Sequence, residues 1–92
     1  MGTDEKTVLF VVGRDSVVEA RRMLGYCEKA DVFLVGRGLL LPTAMFPKRK
    51  VYALREEAEL MGVGNKTGEG LILTEASEMV DILLEHKIYN FS

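Results

Sequence analysis

The stretch Thr7-Val-Leu-Phe-Val-Val12, closed by Gly13, decides the fold class of this chain. It is a continuous run of β-branched and aromatic residues, without the alternation of polar positions that marks a half-exposed strand. Runs of this kind are typical of strands covered on both faces, as in parallel sheets. The stretch therefore predicts a buried strand at the start of an α/β domain.

Outward from this strand, apolar runs alternate with segments of helical spacing. Further strands are predicted at 32–35, 51–54 and 71–74, and helices at 16–29, 55–61 and 77–86. Ser16 and Glu19 could form a capping box at the first helix. Right-handed crossovers between these strands predict a single three-layer α/β/α domain with a four- to five-stranded, mainly parallel sheet.

The length of 92 residues is that of one domain. Residues 1–6 are polar and are expected to form a flexible N-terminal extension without a signal peptide. The tail at 87–92 could add a short edge strand or pack under a neighbouring chain. No apolar run is long enough to span a bilayer, so no membrane partner is expected and the predicted location is the cytoplasm.

Charge and cysteine content narrow the function classes further. The net charge of −2 gives no reason to expect direct nucleic-acid binding. The basic run Lys48-Arg49-Lys50 is interpreted as a solvated turn, with contact to an anion as the alternative. The single cysteine excludes an intramolecular disulfide, which agrees with a reducing compartment.

No catalytic set can be assembled from the reactive residue types in the sequence. Cys27 lies on the apolar stripe near the end of the first predicted helix, which favours a buried thiol over a sulfur carrier. His86 fits the C-terminal turn of a helix, and the acids at 56–59 fit a solvated helix start. We therefore predict no catalytic residue, no metal and no cofactor.

Polar turns follow the predicted strands, and ligands of open parallel sheets bind at the carboxyl ends of the strands. None of these turns carries a phosphate-binding fingerprint. Ordinary strand-to-helix turns are the simpler interpretation, and a small anion site is the alternative. The candidate binding residues are Arg14, Ser16, Arg37 and Gly38.

An apolar segment between the second and third strands, interrupted by Pro42, exceeds what so small a core needs. Surplus apolar surface usually marks a contact with another chain, although internal packing remains the alternative. The sequence does not predict the structure of residues 39–47. The candidate interface residues are Leu39, Leu40, Leu41, Met45, Phe46, Tyr89 and Phe91.

Three stretches, in this order, resemble the DsrE/DsrF/DsrH superfamily and within it the DsrH/TusB-like branch. Asp31-Val-Phe-Leu-Val-Gly-Arg-Gly38 is similar to the acidic residue, strand and glycine turn of that family. Residues 50–63, beginning Lys-Val-Tyr-Ala-Leu-Arg-Glu-Glu, resemble the strand-to-helix segment of the branch. Residues 70–86 resemble the final strand and helix, including a closing histidine. The resemblance covers most of residues 7–87.

The resemblance implies a non-catalytic subunit of a sulfur-relay complex, serving tRNA 2-thiouridine formation or sulfur oxidation. Sulfur-accepting subunits of the family carry a cysteine where the third strand meets its helix, and this chain has Leu54 at about that position. Arg37 stands where the branch has an acidic residue. The expected partners are related α/β subunits, in a homo- or hetero-oligomer. The alternative function is a homo-oligomeric protein that binds a small molecule or anion at its strand ends.

Overall fold

A computed structural model describes residues 7–27, 29–64 and 69–91. The expected N-terminal extension, residues 1–6, lies outside this range. The helices and strands are β1 (Thr7–Val12), α1 (Val17–Leu24), β2 (Ala30–Leu34), β3 (Val51–Leu54), α2 (Arg55–Leu60), β4 (Leu71–Thr74), α3 (Ala76–Glu85) and β5 (His86–Phe91).

The five strands form one sheet in the order β4-β3-β2-β1-β5, and every neighbouring pair is parallel. The predicted single α/β domain with a four- to five-stranded parallel sheet is confirmed. The strand β1 lies between β2 and β5, so the apolar run that predicted the fold is covered by strands on both sides. The tail forms the edge strand β5, one of the two arrangements that the sequence left open.

The two faces of the sheet are covered unequally. Helices α1 and α2 pack on one face, where Ala20, Leu24 and Ala58 join the main core. Side chains alternate along strands, so every second residue of β1, from Val8 through Phe10 to Val12, faces this core. Right-handed crossovers place α3 on the opposite face.

Helix α3 is the only helix on its face in the described part of the chain. It starts beyond the carboxyl end of β4 and ends at the amino end of β5, so it crosses the sheet diagonally from edge to edge. Leu9 and Phe33 are fully buried beneath it. No residue of α3 itself is fully buried, because one helix of about 15 Å cannot cover five strands spaced about 4.8 Å apart.

Helix ends differ from the sequence-based prediction in two places. Helix α1 ends at Leu24, where Gly25 follows, so Cys27 lies in the turn after the helix and not within it. Ser16 precedes α1 without making a side-chain cap, so the expected capping box does not form. A capping box does form at α3: the Glu75 carboxylate accepts the Glu78 backbone N–H, and the Glu78 carboxylate accepts the Glu75 backbone N–H at 3.0 Å.

The apolar segment after β2 folds into two short 3-10 turns, at Gly36–Leu40 and Thr43–Met45. Leu39 and Phe46 are buried in the main core. These two candidate interface residues therefore pack inside the domain, which was the alternative interpretation of the segment. Leu41 and Met45 are partly buried against the same core, and Leu40 is exposed. No helix in the described ranges is long and apolar enough to cross a membrane.

Candidate functional site

The turns that follow β1 and β2 lie against each other at the carboxyl edge of the sheet. Val35 N–H donates to the Val12 carbonyl at 3.1 Å, and Gly38 N–H donates to the Val35 carbonyl at 2.9 Å. These bonds hold the two turns in register. The structure thus brings the segments of all four candidate binding residues to one edge, as the parallel sheet predicts.

The four candidates differ in how accessible they are. The side chains of Arg14 and Arg37 are exposed and Ser16 is half-buried. Gly38 is buried, and a Cβ atom built on it would lie 2.4 Å from the Val12 carbonyl oxygen. The glycine is therefore explained by the close approach of two backbone segments, because no larger residue fits between them.

A different pair of side chains occupies the point where neighbouring helices depart to opposite faces. Helices α2 and α3 leave adjacent strands β3 and β4 in this way, and such a switch point is where open α/β sheets form ligand crevices. Here Arg55 Nε lies 2.5 Å from Glu75 Oε2. The hydrogen bond to Glu75 and its negative charge raise the pKa of Arg55. This exposed ion pair joins the start of α2 to the residue that caps α3.

Cys27 lies at the amino edge of the sheet, three residues before β2 begins, at the opposite end of the strands from the Arg55–Glu75 pair. Its side chain is half-buried and packs against the main core. Its backbone is fixed on both sides, since its N–H donates to the Leu24 carbonyl at 3.1 Å and its carbonyl accepts from Arg49. The prediction that Cys27 belongs to the apolar stripe of this segment agrees with this packing.

Arg49 is a structural residue that the sequence did not reveal. Its Nη1 donates to the carbonyls of Cys27 at 2.8 Å and Ala30 at 2.9 Å, and its Nη2 donates to the Leu24 carbonyl at 2.8 Å. The guanidinium thus joins the end of α1 to the turn that follows it and to the first residue of β2, and its positive charge meets the C-terminal end of the helix dipole. The prediction of a solvated turn is wrong for Arg49, although Lys48 and Lys50 are exposed.

The amino edge also holds a small polar group on the α3 side of the sheet. His86 Nδ1 donates to the Ile82 carbonyl at 2.5 Å, which closes the last turn of α3, and His86 Nε2 lies 3.6 Å from Asp31 Oδ2. Asp31 also accepts the Lys50 backbone N–H at 3.3 Å. The predicted helix-terminal role of His86 agrees with these contacts, which tie α3 to β2.

An open groove of about 440 Å³ lies along the segment between β2 and β3, at the same edge. Thr43 Oγ1 donates to the Glu69 carbonyl at 2.6 Å across its floor. Its one guanidinium, that of Arg49, is already bonded to carbonyls. Within the described ranges no three His, Cys, Asp or Glu residues converge as metal ligands. Among the described residues, the groove therefore has neither an unbonded guanidinium nor a set of metal ligands.

Tyr52, on β3, lies near the polar group that Asp31 and His86 form at the amino edge. Its ring stacks on Phe33 with centroids 6.3 Å apart. Burial raises the pKa of Tyr52 above its ordinary value of 10.0, and the negative charges of Asp31 and Glu85 raise it further. The folded state therefore holds the phenol proton more tightly than the unfolded chain does.

From this we expect an alkaline loss of stability that depends on Tyr52. The contribution is complete below the unfolded pKa of 10.0 and is lost as the pH rises through the higher folded pKa. Urea unfolding between about pH 9 and pH 11 should show the loss, and Tyr52→Phe should reduce it. The same change at the exposed Tyr26 is the control. An unchanged alkaline loss in the Tyr52→Phe protein would contradict the assignment.

Comparisons of the chain with protein-family models, with curated proteins and with solved structures found no match.

Proposed function

We propose that this chain is a non-catalytic, cytoplasmic subunit of a sulfur-relay assembly that positions a cysteine-bearing partner. The resemblance to the DsrH/TusB-like branch points to tRNA thiolation or sulfur oxidation as the pathway. In this role the chain contributes surface and rigidity, while the partner carries the persulfide.

The observation that carries the proposal is the chemistry of the β3–α2 junction. By the resemblance, a sulfur-accepting subunit has its cysteine at this junction. Here the position is Leu54, and the next residue, Arg55, is held in the ion pair with Glu75. No group at this junction can form a persulfide, because the only thiol of the chain is Cys27. That thiol lies at the opposite edge of the sheet, packed against the core.

A nucleophilic thiol needs exposure and a neighbouring positive charge or helix N-terminus. Cys27 follows the C-terminus of α1 and is half-buried against the main core, so neither a helix N-terminus nor full exposure is present. The guanidinium of Arg49 is bonded to the Cys27 carbonyl and to two further carbonyls. These surroundings support a packing role for the thiol.

The test is sulfur transfer through a reconstituted assembly of this chain with a cysteine-bearing α/β partner. We expect Cys27→Ser to leave the rate of sulfane-sulfur transfer within about twofold of the wild type, since the thiol takes no part in the chemistry. Transfer is followed by alkylation and mass spectrometry of the persulfide on the partner.

Serine in place of the partner's own cysteine is the matched control and should abolish transfer. Thermal unfolding of the Cys27→Ser protein establishes that the fold is retained. Loss of transfer on Cys27→Ser, with the fold intact, would overturn the non-catalytic role. Full transfer in the absence of this chain would overturn the positioning role.

A further inference from the structure

The outward side of α3 combines exposed apolar and acidic residues. Val80 and Leu84, one turn apart, are 55% and 68% exposed. Asp81 and Glu85 lie beside them at the same spacing and are also exposed. The helix has no lysine, arginine or histidine. We call Val80, Asp81, Leu84 and Glu85 the α3 surface.

The outward side of α1 has the opposite charge. Val18 is 68% exposed and Tyr26, in the turn after the helix, is 81% exposed. Arg21 and Arg22 lie between them, both exposed. Met23 is exposed as well. We call Val18, Arg21, Arg22, Met23 and Tyr26 the α1 surface.

Strand β5 adds to the positive charge near the α1 surface. Lys87 lies 5.6 Å from the centre of the Tyr89 ring, and alternation along the strand puts both on the face that carries α1. The one acid within α1, Glu19, lies in its first turn and borders Arg22 and Met23, so the two arginines leave this surface with a net positive charge. The positive charges at 21 and 22 lie in its last turn. The two helix surfaces are therefore complementary in charge and similar in apolar content.

We propose that copies of this chain associate head to tail, with the α1 surface of one copy packed against the α3 surface of the next. Such a contact would cover the exposed apolar side chains of both helices and place each arginine pair against a carboxylate pair. Because the two patches are different and lie on opposite faces of the sheet, the contact is heterologous and builds a ring or a filament.

A two-fold contact is disfavoured by the same charges. Packing α3 against α3 would bring the carboxylates of Asp81 and Glu85 together, and packing α1 against α1 would bring Arg21 and Arg22 together. Like charges facing each other across an interface are unfavourable. The proposal uses only the two helix surfaces of this chain and is independent of the sulfur-relay role.

The test is a charge exchange measured by sedimentation velocity. One variant carries Arg21→Glu and Arg22→Glu, which makes both surfaces acidic, and the other carries Asp81→Lys and Glu85→Lys, which makes both basic. We expect the wild-type protein to associate in the micromolar range and each variant alone to be monomeric. An equimolar mixture of the two should associate again. The first variant keeps the native acidic α3 surface, and the second keeps the native basic α1 surface to which it binds.

A variant with Lys48→Glu and Lys50→Glu has the same change in net charge as the α1 variant, at exposed positions outside both surfaces. It should associate like the wild type. Circular dichroism and thermal unfolding establish that each variant is folded. Raising the salt concentration to about 1 M, where the Debye length is about 3 Å, should weaken the association.

Four results would overturn the proposal. The first is a wild-type protein that stays monomeric across the micromolar range. The second is a charge variant that still associates alone, and the third is a mixture that stays monomeric although both variants are folded. Association only with a cysteine-bearing partner would also overturn it, while leaving the sulfur-relay role intact, because that role is tested by transfer.

Discussion

Gly38→Ala is expected to lower the free energy of unfolding by about 3 kcal/mol or more, a large part of the roughly 5 to 10 kcal/mol typical of small domains. The added Cβ would lie 2.4 Å from the Val12 carbonyl oxygen, well inside van der Waals contact. The atoms next nearest to it also belong to the backbone, at 3.3 Å and 3.4 Å.

Neither partner in this contact can move at low cost. The Val12 oxygen accepts the Val35 N–H at 3.1 Å, and the Val35 carbonyl in turn accepts the Gly38 N–H at 2.9 Å. Relief of the clash would stretch these bonds at the carboxyl ends of the two neighbouring strands β1 and β2. We therefore expect the turns at 14–16 and 36–40 to separate.

Two other glycines supply graded controls for a urea-unfolding series. No atom of the described residues lies within 4 Å of the Cβ position of Gly64, and its φ is not positive, so Gly64→Ala should change the stability by less than about 0.5 kcal/mol. Gly36 has open space but a φ of +52°, so Gly36→Ala should cost about 1 kcal/mol from backbone strain alone. If Gly38→Ala lowers the free energy of unfolding by no more than Gly36→Ala does, the expected clash with the Val12 carbonyl is contradicted.

Arg49→Leu is expected to lower the free energy of unfolding by about 2–3 kcal/mol. The substitution keeps the aliphatic beginning of the side chain but removes the guanidinium that bonds three carbonyls. The partly buried carbonyls of Leu24, Cys27 and Ala30 then lose a charged donor, which costs more than the loss of an exposed hydrogen bond.

Arg49→Lys separates the charge from the geometry. A lysine keeps the positive charge at the end of α1 but cannot reach three carbonyls in a planar fork, so it should recover only part of the loss. Lys50→Ala removes an exposed neighbouring charge and should stay within about 0.5 kcal/mol of the wild type. Equal unfolding midpoints for Arg49→Leu and Lys50→Ala would contradict the capping role.

The elements that the sequence predicted well are those with a strong local signal. The run at Thr7–Val12 and the three other apolar runs became strands within two residues of their predicted bounds. Helix α2 was also predicted within one residue, since Gly62 ends it with a φ of +72° and Val63 N–H bonds back to the Ala58 carbonyl. In each case the deciding interaction lies within a few residues along the chain.

The elements that the sequence predicted less well depend on contacts over long separations. Arg49 could not be distinguished from Lys48 and Lys50, because its three carbonyl partners lie 19 to 25 residues away. Leu39 and Leu40 are adjacent and identical, yet one is buried and the other exposed. Only the path of the 3-10 turn over the end of the sheet decides between them.

By itself, then, the sequence determined the α/β class and the strands, because periodicity and residue type are local properties. The tertiary structure alone decided that Gly38 serves a backbone contact and that Cys27 and Leu54 lie at opposite edges of the sheet. It also decided that one diagonal helix leaves its own outer face exposed. These outcomes follow from strand order and crossover direction, which bring together residues far apart in the chain. Neither property is visible in the hydrophobic periodicity of the sequence.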